Sequence, residues 1–215
     1  MANWYMADPH FGHSKIIEYS KRPFNSVRHM DETILGNINA AVKPDDDLWI
    51  VGDFGFGGVG GSDSYLEDIH ASINCRTHLV KGNHDEERVL ALPWDSIHPL
   101  AEIMDGTRHV TLCHYQMVTW YRSRKGSIML FGHVHEKHLG NLNCINVGVD
   151  VWGFRPIRLR DAMKRGNKLP INPLWSNSEH AIAIGDSTAR ETLVHRLKDD
   201  GISILTVKAK NVVIL

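Results

Sequence analysis

The stretch Leu48-Trp49-Ile50-Val51-Gly52-Asp53 is a short apolar run that ends in a glycine and a carboxylate. A continuous apolar run of this length is typical of a strand that is buried on both faces of a sheet. The carboxylate at its end would lie where α/β proteins gather their functional groups. We therefore predict a buried strand over 48–51 that delivers Asp53 to a site.

Four further polar motifs follow apolar runs in the same way. They are Asp8-Pro9-His10, Gly82-Asn83-His84-Asp85, His114 and Gly132-His133-Val134-His135. Asp85 aside, the five motifs together supply two carboxylates, one carboxamide and five imidazoles. This is the ligand chemistry of a site for two divalent metals, with one histidine left over for catalysis.

The spacing within two of the motifs predicts that the side chains of each pair point in the same direction. Asp8 and His10 are two residues apart, and His133 and His135 repeat that spacing. In an extended segment the side chains of residues i and i+2 point to the same side. We therefore expect Asp8 and His10 to reach one metal from an extended backbone.

The remaining pattern alternates strands with helices. Apolar residues at spacings of three and four predict an amphipathic helix over 26–42 with Ser26 as its N-cap, and Ser64-x-x-Glu67 predicts a capping box that opens a helix to about Ile73. The other expected strands share short apolar or β-rich composition: 3–7, 77–80, 110–113, 127–131, 144–151 and 156–159. The alternation predicts an α/β domain.

The segment after Asp161 differs in composition and carries none of the motifs. We predict one functional domain over 1–163, then an appendix over 164–215 that begins with a polar linker at 164–173 and continues as a small β-α-β unit. Gly185-Asp186-Ser187 in this appendix resembles a serine-hydrolase nucleophile turn, but a capped strand-to-helix turn is the favoured interpretation. The sequence assigns the appendix no role.

Composition limits the class of protein. The chain has 215 residues, 42% hydrophobic and 23% charged, and a net charge of −1, which is ordinary for a soluble domain and does not indicate a protein that wraps long nucleic acid. Three cysteines without a C-x-x-C pair suggest free thiols in a reducing compartment. We expect no signal peptide and no membrane span, and therefore a cytoplasmic protein.

The five motifs, in this order, resemble the signature of the calcineurin-like metallophosphoesterases. The resemblance spans about residues 3–157, and the opening MADPHFGHSKII followed by RPF is similar to a small bacterial and phage-type branch. It implies two facing mixed β-sheets flanked by helices, a four-layer sandwich. It also implies a dimetal phosphoesterase in which a metal-bridging hydroxide attacks phosphorus.

The same resemblance implies a ligand for each metal position. One metal would take Asp8, His10, Asp53 and His135, and the other would take Asp53, Asn83, His114 and His133. Manganese is the first expectation for both ions, and mixed nitrogen and oxygen ligands also suit Fe, Co, Ni or Zn.

His84 would not be a ligand. By the resemblance it would stabilise the transition state or protonate the leaving oxygen, and Asp85 would orient its imidazole. His13 is the one histidine outside the motifs that we expect near the site. Arg22, Arg122 and Arg124 could bind substrate phosphate, although exposed solubilising arginines are the more common explanation.

The glycine-rich segment 55–60 matches G-x-G-x-x-G between a strand and a helix, as in dinucleotide-binding folds. The carboxylate of Asp53 before it, and Lys81 at the end of the next strand, argue against that alternative. The segment 52–58 also lacks the Asp-Arg pair of protein Ser/Thr phosphatases, which argues against phosphoprotein hydrolysis.

The predicted substrate is a small phosphodiester or nucleotide-type phosphate ester. Phosphomonoester hydrolysis and nuclease action are the alternatives within the superfamily, and nucleic acid is not the favoured partner. A non-catalytic metal-binding interaction domain is the rival from another class. The intact motif set, including His84, favours an enzyme.

Overall fold

A computed structural model of the chain describes residues 1–56 and 64–171. The chain divides into two compact units, Met1–Asn172 and Pro173–Leu215. The second unit, with the predicted β-α-β appendix and the Gly185-Asp186-Ser187 turn, lies outside the described residues. So does most of the glycine-rich segment.

The first sheet has four parallel strands in the order β1-β2-β3-β4. Their bounds are β1 (Asn3–Met6), β2 (Asp47–Ile50), β3 (Arg76–Val80) and β4 (Ser96–His98). Because the strands are parallel, their carboxyl ends meet at one edge of the sheet. The strand predicted from 48–51 is confirmed as β2, which lies inside this sheet between β1 and β3.

The second sheet has five strands in the order β5-β6-β7-β9-β8, and it is mixed. The bounds are β5 (Ala101–Asp105), β6 (Arg108–Leu112), β7 (Ile128–Phe131), β8 (Gly140–Asn141) and β9 (Cys144–Asn146). The β5–β6 and β8–β9 pairs are antiparallel, whereas β6, β7 and β9 run parallel. The carboxyl ends of β6 and β7 therefore also lie side by side.

Alternation along β2 explains how the layers pack. Leu48 and Ile50 join a buried cluster with Ile34 and Ile38 of the helix over Val27–Ala41. Trp49 joins a second cluster, in which it packs with Val110, Leu112 and Leu130 of the second sheet. The second core therefore lies between the sheets, and the expected two facing sheets flanked by helices are confirmed. Within the described residues the first sheet is parallel rather than mixed.

Five α-helices belong to the described part of the chain. They are α1 (Ser14–Tyr19), α2 (Val27–Ala41), α3 (Tyr65–Ala71), α4 (Glu87–Leu90) and α5 (Leu159–Gly166). The Ser26 hydroxyl accepts a hydrogen bond from the backbone N–H of His29 at 3.2 Å, which confirms Ser26 as the N-cap of α2. The predicted capping box at α3 is wrong, because the Ser64 hydroxyl donates to the Asp68 carboxylate instead.

The C-terminal part of the first unit departs from the predicted strands and linker. The run 156–159 forms only a single bridge, between Tyr5 and Ile157, and Leu159 already begins α5. Helix α5 crosses the predicted boundary at residue 163, and the backbone N–H of Leu142 donates to the carbonyl of Pro170 at 3.2 Å. The linker expected from Lys164 is therefore partly helical and packed.

Two smaller expectations concern cysteines and membranes. Cys75, Cys113 and Cys144 are free thiols. Burial raises the pKa of the Cys144 thiol to about 12, so that it stays protonated. Among the helices of the described ranges, none is both long and apolar enough to cross a membrane.

Candidate metal centre

The predicted ligands lie in the turns that follow the strands. Asp8 and Asp53 follow β1 and β2, Asn83 follows β3, and His114 and His133 follow β6 and β7. The parallel strands bring these turns to one place, so residues far apart in sequence become neighbours.

Most of these ligands have an unusual backbone. Asp8, His10, Asp53, His133 and His135 all have positive φ angles, between 49° and 72°. Few residues other than glycine adopt this conformation, and where they do the strain often marks a functional site. The expectation that Asp8 and His10 share a direction because they are extended is therefore wrong. Tight turns, not a strand, place both side chains in the site.

In the part of the chain that the structure describes, the possible ligand atoms form two groups. Asp8, His10 and His135 offer one set of atoms within 4.8 Å of one another, and Asp53, His114 and His133 offer another. His133 and His135 belong to different groups, so the i, i+2 spacing does not make them ligands of one ion. The division agrees with the ligand sets that the resemblance implies.

Asp53 connects the two groups. Its Oδ2 lies 3.6 Å from Nε2 of His10 in the first group and 3.4 Å from Nε2 of His114 in the second. The amide oxygen of Asn83 lies 3.1 Å from the same His114 nitrogen, which adds the carboxamide to the second group. One carboxylate thus faces both groups, as a bridging ligand must.

His10 provides a direct test of whether these residues fit a metal. Its side chain is buried, and within the described ranges 1–56 and 64–171 neither ring nitrogen has a hydrogen-bond partner. A buried polar group without a partner is costly and rare. Burial, together with nearby positive charge, holds the His10 pKa well below its usual value, so the ring is neutral and able to donate a lone pair to a metal. The donor set therefore fits a divalent cation.

The protonation states of the other ligands follow from their neighbours. Burial raises the pKa of Asp8 to about 6. Burial also acts to raise the Asp53 pKa, but the hydrogen bond and charge of His114 outweigh it and bring that pKa to about 2. The same pairing raises the pKa of His114 to about 9 against the opposing effect of burial. A metal at His114 must therefore displace a proton.

Two of the predicted ligand histidines are held through their second nitrogen. Nδ1 of His114 lies 2.9 Å from the carbonyl oxygen of Val51, and Nδ1 of His135 lies 2.7 Å from Oδ2 of Asp150. An acceptor at Nδ1 fixes the tautomer that leaves Nε2 free to bind metal. Asp150 was missed in the sequence; its signal was the one carboxylate inside the β-rich run 144–151.

Arg22 completes this support. It is buried, and its guanidinium donates to both oxygens of Asp150 at 2.7 and 2.9 Å and to the backbone carbonyls of Asp8 and Pro9. Neither predicted role, phosphate binding or surface solubility, agrees with this geometry. Arg22 instead fixes the Asp8 turn and Asp150 together. Arg122 lies beside the Tyr121 ring, and the Arg124 side chain lies outside what the structure describes.

We expect Asp150→Asn to weaken metal binding at the His135 group by about 10–100-fold, the usual cost of losing an outer-shell partner. The asparagine keeps the size of the side chain but loses the charge that pairs with Arg22 and holds the His135 imidazole. Isothermal titration of metal-free protein with Mn²⁺ measures the change. Asp68→Asn, at an exposed carboxylate of α3, is the matched control, and unchanged affinity in Asp150→Asn would contradict the assigned role.

The structure places His84 and Asp85 differently from each other. The half-buried His84 ring lies 5.5 Å from the His10 ring, at the mouth of the site. Asp85 is buried, and its two oxygens accept the backbone N–H groups of Asp53, Phe54 and Gly82 at 2.7–2.9 Å. Both oxygens are used in this way, so Asp85 joins the two ligand turns rather than orienting the His84 imidazole as predicted.

Two of the motif glycines permit close approach of a ligand carboxylate. A Cβ at Gly82 would collide with the side chain of Asp53, and a Cβ at Gly132 would collide with that of Asp8. Glycine at these two positions therefore leaves room for the carboxylate of a neighbouring turn, in addition to permitting its own turn.

Aromatic side chains flank the site on two sides. The His13 ring lies 5.4 Å from that of His10, as expected, and it stacks on Phe56 at 4.8 Å. Phe56 also meets His84 at 5.6 Å. On the other side, the exposed Tyr115 lies 4.9 Å from His133. Tyr115 was missed because an aromatic residue after His114 carries no motif signal.

No model of a known protein family matches the chain. An uncharacterised protein of Methanocaldococcus jannaschii is 26% identical over 165 residues, which cover 73% of this chain and 86% of that protein. The Gene 66 protein of Mycobacterium phage L5 is 26% identical over 183 residues, which cover 70% of this chain and 87% of that protein.

Solved structures resemble the described fold. A protein of unknown function from Aquifex aeolicus has a TM-score of 0.62 at 26% identity, covering 76% of this chain and 98% of that one. A weaker likeness is the phosphoesterase YfcE from E. coli, with a TM-score of 0.40 at 14% identity over 74% of this chain and 82% of that one. In its two-sheet fold and in the order of its ligand-type residues, the chain agrees with its resemblance to the calcineurin-like metallophosphoesterase superfamily.

Proposed function

We propose that the chain is a dimetal phosphoesterase of the calcineurin-like superfamily, acting on small phosphodiester or nucleotide-type substrates. One observation carries the proposal: two groups of metal-ligating side chains meet at the single carboxylate of Asp53. A pair of divalent cations held in this way would neutralise a phosphate group and lower the pKa of a shared water. The expected ions are Mn²⁺ first, with Fe, Co, Ni or Zn as alternatives.

Charge favours a phosphate substrate. Asp8 and Asp53 are the two carboxylates among the seven predicted ligands, and the other five are neutral donors when they bind metal. Two divalent cations would leave this ligand set positive, because two carboxylates offset only half of their charge. Asn83 and His133 are exposed, so the second group faces solvent and is the side on which a phosphate ester would enter.

His84 is the residue proposed to move a proton. Its backbone N–H donates to Oδ1 of Asp53 at 2.9 Å, which fixes the turn that carries the imidazole. The ring lies beside His10 and Phe56 and is partly open to solvent. From this position it can donate a proton to the leaving oxygen of an ester bound at the ligand groups.

The aromatic flanks favour a nucleotide-type substrate over a simple phosphomonoester. Phe56 and Tyr115 are 50% and 47% exposed, so each offers a face or edge to a planar group next to the bound phosphate. Base–aromatic stacking tolerates any base and stabilises by about 1–3 kcal/mol per base. Monoesterase and nuclease activity are the alternatives within the same chemistry.

A substrate panel with Mn²⁺ tests this function. We expect hydrolysis of bis-p-nitrophenyl phosphate and of nucleotide-type diesters to exceed hydrolysis of p-nitrophenyl phosphate. Short DNA is included as a further substrate. Preference for p-nitrophenyl phosphate or for DNA would replace the proposed substrate class. Metal binding without hydrolysis of any ester would favour the non-catalytic interaction domain.

We expect Tyr115→Ala to lower kcat/KM for the p-nitrophenyl ester of thymidine monophosphate by about tenfold, the scale of one lost stacking contact. Methyl p-nitrophenyl phosphate has the same leaving group but no base, so its kcat/KM should change little. Tyr121→Ala, at another exposed tyrosine of the same loop, is the control. Equal losses for both esters would show that Tyr115 supports the site rather than the base.

A further inference from the structure

A second concave surface lies away from the metal-ligating groups. It is a cavity of about 540 Å³ between the end of the first unit and β1, and none of the seven predicted ligands lines it. Its lining residues include two tryptophans and four cations: Trp4, Trp152, Arg155, Lys164, Arg165 and Lys168. Pockets of 300–1,000 Å³ are the size that holds small-molecule ligands.

The charge of this surface is exceptional for the chain. Among the described residues, four arginines and lysines and a single carboxylate, Asp161, line it, whereas the whole chain has a net charge of −1. The Asp161 carboxylate accepts the backbone N–H of Arg158 at 3.2 Å, so it is partly engaged at the start of α5. A local excess of cations of this kind attracts a phosphate-bearing anion.

Arg165 is held ready for such an anion. Its guanidinium carbon lies 3.2 Å from the centroid of the Trp152 ring, and Nη2 donates to the carbonyl of Val151 at 2.8 Å. Its Nη1 is buried and has no hydrogen-bond partner among the residues that the structure describes. Burial lowers the Arg165 pKa, which reflects the cost of keeping this cation away from water. Arg165 lines the cavity, so an anion bound there would lie beside this cation and offset that cost.

The indole rings of Trp4 and Trp152 also line the cavity and offer aromatic surface to a ligand. Arg158 lies over the Trp4 ring at 5.1 Å, so both indoles are part of stacked cation–aromatic pairs that hold the walls in place. Cationic and aromatic side chains in one groove are typical of sites that bind a phosphate together with a base. We propose that this cavity binds a nucleotide-sized, phosphate-bearing ligand, either a free nucleotide or the end of a single nucleic-acid strand.

The test uses the full chain in EDTA, so that binding at the metal-ligating groups is suppressed. Isothermal titration with ADP and, separately, with a short oligothymidylate distinguishes a free nucleotide from a strand end. Arg165→Gln should weaken binding about tenfold, because a hydrogen bond between charged groups is lost. Lys168→Gln, at an exposed side chain that should not affect folding, should weaken it about two- to fivefold.

Arg160→Gln is the matched control, since Arg160 is an exposed arginine of α5 that does not line the cavity. Binding of ADP with the expected variant pattern supports the site and a free nucleotide. The same pattern with the oligothymidylate alone supports the site and a strand end. The proposal is overturned if neither probe binds saturably at millimolar concentration, or if Arg160→Gln weakens binding as much as the cavity variants do.

Discussion

Asp53→Asn is expected to lose bound metal and phosphoesterase activity together. The Asp53 carboxylate faces His10 on one side and His114 on the other, at 3.6 and 3.4 Å. The amide keeps the shape but removes the negative charge that the two proposed ions would share, and it places a nitrogen where an oxygen ligand would be needed. The loss should exceed the roughly 10–100-fold cost of removing an outer-shell partner.

Metal analysis of purified protein and hydrolysis of bis-p-nitrophenyl phosphate measure both effects of the Asp53 substitution. Asp68→Asn, at the exposed carboxylate of α3, should leave both at the wild-type level. Two ions bound at wild-type affinity in Asp53→Asn would show that Asp53 does not bridge. Circular dichroism of the metal-free proteins distinguishes a loss of metal binding from misfolding of the variant.

His84→Asn is expected to retain both metals and to lower kcat by about 10²–10⁴-fold, the usual contribution of a general acid or base. The His84 imidazole lies at the mouth of the site and belongs to neither ligand group, whereas its backbone N–H holds Asp53. A side-chain substitution preserves that backbone hydrogen bond. The predicted effect is therefore on the chemical step and not on metal content.

Two further readouts sharpen the His84 test. A substrate with a p-nitrophenyl leaving group needs little protonation, so its hydrolysis should fall less than that of an ester with a poor leaving group. Loss of a metal ion from His84→Asn would make His84 a ligand. An equal loss of kcat for good and poor leaving groups would contradict its proposed role as proton donor.

The sequence was sufficient to predict the strands that precede the ligand turns, and the ligand-type residues themselves, because both depend on local pattern. The apolar run before Asp53 predicted β2, and the spacing of apolar residues predicted α2 with its Ser26 cap. The order of the motifs indicated which residues meet, and the parallel strands place them together. The number and spacing of the cysteines also predicted free thiols.

The support of the ligands could not be predicted, because it joins residues that are distant in sequence. Arg22 and Asp150 are 128 residues apart, and their pairing depends on how the first turn packs against the end of the second sheet. The carboxylate of Asp85 was assigned to its neighbour His84, but its oxygens bond to backbone groups 31 and 32 residues away. The left-handed backbone of Asp8 and His10 is likewise set by packing.

The most direct test of the two-metal proposal is a titration of metal-free wild-type protein with Mn²⁺, with bound ions per chain and hydrolysis of bis-p-nitrophenyl phosphate measured in the same samples. Two ions should bind per chain, and activity should appear as the second ion binds, because Asp53 needs both partners to form the paired site. Binding of a single ion at full activity, or hydrolysis that does not depend on metal, would contradict it.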